Sequence, residues 1–240
     1  PPEGARAGSR TGVLVLHGRR RGELIETLRF LPALHGLGLH VLAQSYRNHD
    51  RSDRSPDGLY HYGASEWEDA LAGARELAAR GVDRVVLFGI SMGGAVALEA
   101  LERWGPGLPE VVGVVLDSPL VDPYATVELG AVRSGLPFPG LLTRLALTVA
   151  GWRTGVDFGS LVQADDAARV PVPVMVVAGT GDTTVPIASV DALVDALRVP
   201  VTYHRVEGAE HVDVWNRLGA ERYAEWLAAF VASLEVRAAR

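Results

Sequence analysis

The stretch Gly89-Ile90-Ser91-Met92-Gly93-Gly94 follows the apolar run Val85-Val86-Leu87-Phe88 and precedes Ala95-Val96-Ala97-Leu98-Glu99-Ala100-Leu101. A short apolar run ending at glycine reads as a buried strand, and the alanine- and leucine-rich segment beyond it reads as a helix. Between them lies a sharp turn with a serine at its apex. Gly89 and Gly93 stand two residues to either side, where such a turn presses backbone against backbone and leaves no room for a Cβ. The hydroxyl is thereby set beside a helix N-terminus, whose unpaired N–H groups favour negative charge. The Met92 N–H is placed to bind the oxyanion that forms when Ser91 attacks a carbonyl. A glycine turn after a strand also occurs in ordinary βα connections, so the pattern needs its context.

Outward from this turn, strand-like and helix-like segments alternate. The expected strands are Val13–Leu16, His40–Gln44, Arg84–Phe88, Val111–Leu116, Val172–Ala178 and Val201–Val206. Helices are expected at about Glu23–Leu34, Ala64–Arg80, Ser189–Leu197 and Glu221–Val236, with Ser65 and Glu68 forming a capping box and Gly81 a stop. Such alternation predicts a mostly parallel α/β sheet of about six strands, covered by helices on both faces. Residues 1–11 read as a loose lead-in and 12–240 as one domain. The alternation pauses at about 120–170, where Leu141–Ala150 is the one helix-like stretch, and this segment reads as a small insertion or lid.

Composition narrows the function classes. The 240 residues carry 23 basic and 29 acidic side chains, a net charge of −6, with no basic run fitted to nucleic acid. Every basic residue is arginine, so lysine Schiff-base chemistry is excluded, and the absence of cysteine excludes thiol nucleophiles, disulfides and thiolate metal sites. No stretch approaches the roughly 20 apolar residues of a membrane span. Residues 1–10 lack the apolar core of a signal peptide. These features lead to an expectation of a cytoplasmic protein, although the chain does not begin with Met and an upstream anchor would change that. Oligomeric state is not encoded legibly.

In an open parallel sheet, ligands bind beyond the carboxyl ends of the strands. There the sequence places His17-Gly18-Arg19, Ser91, Gly181-Asp182 and Gly208-Ala209-Glu210-His211. Serine, aspartate and histidine thus follow one another at one sheet edge. A hydroxyl is a weak nucleophile, so an imidazole must take its proton and a carboxylate must hold the imidazole's tautomer. Ser91 is assigned as nucleophile, His211 as general base and then acid, and Asp182 as the orienting carboxylate. Asp117 also closes a strand and is the rival for that carboxylate.

His17-Gly18, Gly89-Ile90-Ser91-Met92-Gly93, Gly181-Asp182-Thr183-Thr184-Val185-Pro186 and Gly208-Ala209-Glu210-His211 together resemble the α/β-hydrolase fold, from about residue 12 to the end of the chain. Leu116-Asp117-Ser118-Pro119 and the short lid are similar to those of bacterial esterase-like or serine-aminopeptidase-like hydrolases. The resemblance implies a second oxyanion donor in the loop after His17-Gly18, at Arg19. It also implies two strands before the one ending in His-Gly. About eleven residues precede that strand here, so the chain reads as a six-strand minimal version or as the catalytic part of a longer protein.

Each remaining polar residue has a plainer role beside the chemical one. His17 braces the oxyanion loop, Asp213 braces the His211 loop, and His35, His40, His61 and His204 are scattered. His49 with Asp50 and Asp53 has the residue types of a metal site, yet a loop rich in turn formers accounts for them better. Arg19-Arg20-Arg21 reads as a solvated turn, or as a carboxylate-recognising one. Pro137-Phe138-Pro139, Leu141, Leu142, Leu145 and Trp152 pack the insertion or line an acyl pocket. The function expected is hydrolysis of small to medium carboxylic esters through an acyl-serine, with no metal or organic cofactor and a small-molecule substrate as partner. Thioester or aminoacyl-amide cleavage uses the same groups. Dehalogenation would need a carboxylate where Ser91 stands, and a non-catalytic receptor would not need the trio.

Overall fold

Each of the six expected strands forms, and all six pair in parallel in a computed structural model that describes residues 10–19, 23–49 and 51–238. Residues 1–9 of the lead-in, Arg20, Arg21 and Asp50 lie outside the described residues. The strands are β1 (Thr11–Leu16), β2 (His40–Gln44), β3 (Arg84–Ile90), β4 (Glu110–Asp117), β5 (Val174–Gly179) and β6 (Val201–Val206). Their order across the sheet is β2-β1-β3-β4-β5-β6, so the chain reverses direction of travel between β1 and β3. In register, Leu16 pairs with Gly89 and Ile90 with Asp117, which brings those strand ends to one edge.

The helices are α1 (Glu23–Leu28), α2 (Leu31–Gly36), α3 (Trp67–Ala79), α4 (Met92–Glu102), α5 (Pro123–Arg133), α6 (Pro139–Thr154), α7 (Gln163–Asp166), α8 (Ile187–Ala196), α9 (Val214–Leu218) and α10 (Ala220–Ala238). Alternate strand residues feed two cores, as the period of two requires. Leu14, Leu16, Leu87, Val114 and Val176 pack with α3, α4 and α8. Val13, Val15, Phe88, Val115 and Val177 pack on the opposite face with α2 and α10. Among the described residues no helix is long and apolar enough to cross a membrane.

Three local expectations are corrected. The helix expected over 23–34 is two helices, because Phe30 turns back on Thr27 and Pro32, which cannot donate to a preceding turn, starts α2. Ser65 does not cap α3. The flanking residue is Glu66, whose buried carboxylate turns away to accept the N–H groups of His61 and Gly63 at 2.8 and 3.0 Å. Glu68 instead meets Arg47 at 2.7 Å. The segment at 120–170 holds α5 as well as a longer α6, and the signals for α5 are Asp122, which accepts the Ala125 N–H at 2.9 Å, and Pro123 behind it.

The turn around Ser91 is held by contacts that only glycine permits. A Cβ on Gly89 would strike the Gly93 carbonyl, and one on Gly93 would strike the carbonyl of Leu16. Gly93→Ala is therefore expected to lower stability by about 1–3 kcal/mol in urea unfolding. Gly36→Ala, where a Cβ meets nothing within 4 Å, should be neutral or stabilising.

Candidate active site

Because the chain leaves β1 toward β2 and returns to β3 on the other side, a crevice opens at the carboxyl ends of β1 and β3. Ser91 closes β3 into α4 with φ 51° and ψ −116°, a conformation that costs a non-glycine residue on the order of 1–3 kcal/mol. Backbone bonds from Ser91 N to the Asp117 carbonyl and from Leu120 N to the Ser91 carbonyl, each 2.9 Å, hold it there. Its Oγ lies 2.8 Å from His211 Nε2, and His211 Nδ1 lies 2.7 Å from Asp182 Oδ2. A neutral imidazole with its proton on Nδ1 satisfies both contacts: Nδ1–H donates to Asp182, and Nε2 accepts the Ser91 hydroxyl.

Asp182 sits in the turn after β5. Its Oδ1 accepts the N–H groups of Thr184 and Val185 at 2.7 and 2.9 Å, leaving Oδ2 aimed at the histidine. The side chain is 4% exposed. The turns after β5 and β6 are tied together where Gly208 N–H donates to Thr180 Oγ1 and Gly181 N–H to the Ala209 carbonyl, at 2.8 and 3.0 Å. The turns that carry the imidazole and its carboxylate are therefore fixed to each other.

Asp117 is not beside His211's ring nitrogen. It is fully buried and accepts Tyr223 Oη–H at 2.7 Å and Ser118 Oγ–H at 3.0 Å. Ser118 Oγ in turn accepts the Val212 N–H at 3.0 Å, and Arg29 donates to the Val212 carbonyl at 3.1 Å. Ser118 and Val212 are both at positive φ, 47° and 56°, the second a real outlier for a β-branched residue. This buried network clamps the residue after His211. Burial pushes the Asp117 carboxyl above its ordinary range, although Tyr223, Arg29 and Ser118 pull it down.

On the β1 side, His17 is buried and braces the loop. Its Nδ1 lies 2.7 Å from the Gly18 carbonyl, and its ring lies against Tyr46 and His49 at 4.3 and 4.9 Å. His49 continues the stack onto Tyr60, with ring centres 4.2 Å apart. Asp50, the middle residue of the His49, Asp50 and Asp53 trio, lies outside the described residues. His61 pairs with Asp57 at 2.7 Å, His204 stacks on Trp226 at 3.7 Å, and Asp213 accepts Asn216.

Glu26 was not singled out by the sequence. Its carboxylate accepts the Gly18 N–H beside Ser91, and burial raises its pKa. A helix glutamate followed by Arg29 has no motif to mark it. Tyr223 is equally silent in sequence, since an aromatic on an amphipathic helix reads as core. Gly18, Arg19, Glu26, Ser91, Met92 and His211 open onto a cavity of about 990 Å³. Its far wall comes from α5 and α6, including Val127, Leu147 and Ala150. Arg19 is exposed with its guanidinium 5.6 Å from the Tyr62 ring centre.

A family model described as the alpha/beta hydrolase family matches residues 13–229. Two uncharacterized proteins of Mycobacterium tuberculosis are each 33% identical over 211 residues, 86% of this chain. The chain spans 64% of the length of these relatives. Among solved structures, the Pyrococcus furiosus esterase Pf2001 superposes with a TM-score of 0.72 at 22% identity, covering 95% of this chain and 85% of that one. A monoacylglycerol lipase of Paleococcus ferrophilus gives 0.62 at 21%, covering 92% and 95%. These two likenesses are of fold.

The raised Asp117 carboxyl has a consequence for stability. A folded-state pKa above the unfolded one adds stability that is full at low pH and is lost as pH rises through the folded value. In urea unfolding against pH, the wild type should therefore lose stability relative to Asp117→Asn above about pH 4. A difference that does not change with pH would contradict the assignment.

Proposed function

Since the chain belongs to the alpha/beta hydrolase family, we propose that it is a serine hydrolase that cleaves carboxylic esters of small to medium acyl chains. The observation that carries this reading is the unbroken relay from Ser91 through His211 to Asp182, with contacts of 2.8 and 2.7 Å, opening onto a cavity of about 990 Å³ in which Leu120, Val127, Leu147 and Phe158 stand among polar side chains. Ser91 Oγ attacks the ester carbonyl carbon while His211 Nε2 takes its proton. The imidazolium is held by Asp182, whose other oxygen is already fixed by two backbone N–H groups. Collapse of the tetrahedral intermediate breaks the ester C–O bond, and the alcohol leaves with the proton from His211. Water, deprotonated by the same nitrogen, then attacks the acyl-serine, and the acid departs as Ser91 regains its proton. Every transferred proton passes between protein groups and substrate, so the scheme calls on no cofactor.

The oxyanion would be met by two backbone donors. Met92 begins α4, so its N–H has no acceptor within the helix. On the other side Gly18 N–H is taken by Glu26, which leaves the next N–H, that of Arg19, to face the reacting oxygen. Glu26 is thus a positioning residue. Residues 120–170 are read as a cap on a single domain of residues 12–240. Val127, Leu147 and Phe158 from that cap supply apolar surface suited to an acyl chain, and the cavity is larger than an acetyl group needs.

The test is turnover of p-nitrophenyl acetate and butyrate. Ser91→Ala should lower kcat/KM by about 10⁴-fold or more, and Asp182→Asn by about 10³–10⁴-fold, whereas Asp117→Asn should cost under about tenfold. Equal turnover by wild type and Ser91→Ala would end this reading. Faster cleavage of a matched thioester or aminoacyl amide would move the substrate class and leave the assignment of residues standing.

Glu26 has a test of its own. Glu26→Gln retains an acceptor for Gly18 N–H and should keep kcat within about threefold. Glu26→Leu removes it and should lower kcat by about ten- to a hundredfold with little change in KM, as loss of a well-placed oxyanion donor would.

A further inference from the structure

Helix α6 is apolar on both sides. Thr143 and Leu147 are buried, and Leu147, Ala150 and Thr154 line the cavity. On the opposite side Leu141, Leu145, Val149 and Trp152 recur at helical spacing and are left open, with Trp152 88% exposed. At 100° per residue these four fall within one quadrant of the helix, Arg144 lies on one flank of that stripe and Arg153 on the other. Neither arginine makes an ion pair among the described residues, and α6 contains no acidic residue.

The stripe has an aromatic ring at each end. Phe138, 76% exposed, precedes α6 with φ 50° between Pro137 and Pro139. From Phe138 to Trp152 the helix runs about 20 Å. An apolar stripe flanked by arginines, with aromatic rings at its ends and no acid, is the pattern of a helix lying in the headgroup region of a bilayer. The whole chain carries −6 while the charged residues of α6 itself are only arginines, Glu128 of α5 being the acidic side chain against its first turn at Gly140. A second copy fits poorly: a two-fold contact through α6 would bring four unpaired arginines together.

We propose that the exposed face of α6 docks on an anionic phospholipid surface, with Phe138, Leu145 and Trp152 entering the headgroup region and Arg144 and Arg153 meeting lipid phosphates. The cavity wall and the docking face are then two sides of one helix. A substrate drawn from the bilayer would meet the cap first. This inference concerns binding and stands apart from the hydrolase reading, because its readout needs no turnover.

The experiment is co-sedimentation of the 240-residue chain with vesicles of phosphatidylcholine alone or with 30% phosphatidylglycerol, at low and high salt. Partitioning should be at least about tenfold stronger with phosphatidylglycerol and should fall as salt is raised. The combined change Phe138→Ser, Leu145→Ser, Trp152→Ser should weaken it by about a hundredfold, and Arg144→Gln with Arg153→Gln by about tenfold. All five side chains are exposed, so unfolding midpoints should stay close to wild type, and the salt and lipid dependence of the wild type is a test that needs no variant. Absence of binding, equal binding to both vesicles, or binding undiminished by the triple change would overturn the proposal. So would a concentration-dependent dimer in sedimentation velocity that the triple change dissolves, since the face would then belong to a second copy.

Discussion

The hydrogen bond between Ser91 and His211 joins residues 120 positions apart, and a strained, hydrogen-bonded set of turns holds both ends of it. It requires β3 and β6 to end at the same edge of a parallel sheet, four strands' width of packing to stay rigid, and three turns to hold conformations that ordinary chains avoid. Ser91, Ser118 and Val212 all lie at positive φ. Each is tied to another: Ser91 N to the Asp117 carbonyl, Val212 N to Ser118 Oγ. The strain is distributed over one hydrogen-bonded network, whose buried centre is Asp117 with Tyr223. Backbone strain of this kind persists only where the surroundings over-determine it.

The inner strands β1, β3, β4 and β5 were legible because strands buried on both faces are continuous apolar runs, while the half-buried edge strands β2 and β6 match their expected bounds residue for residue. That Ser91, Asp182 and His211 lie together was legible because strand ends converge on one edge. Choosing between Asp117 and Asp182 was a different matter, since both follow strands. Only the side-chain partners separate them, and those depend on Tyr223, more than a hundred residues beyond Asp117. Glu26 was hidden for the same reason: its acceptor role exists in space, eight residues from Gly18, with no local pattern to announce it. The capping box at Ser65 failed because Glu66 found two better donors in the turn before it.

The segment between β4 and β5 is where propensity said least. A helix with apolar residues on two sides has no clear periodic face, so α6 reads from sequence as a vague apolar stretch. Its two sides face different surroundings, a cavity within and solvent without. On the proposed function, recognition of substrate rests on the cap and on the loop after His17, while the sheet edge carries the reacting groups.

The most direct measurement is labelling by a fluorophosphonate probe followed by peptide mapping, because the probe reports a serine whose hydroxyl is activated by a neighbouring base. The account predicts a single adduct on Ser91, abolished in Ser91→Ala and strongly slowed in His211→Ala. An unlabelled wild-type chain, or an adduct on any other serine, would contradict it.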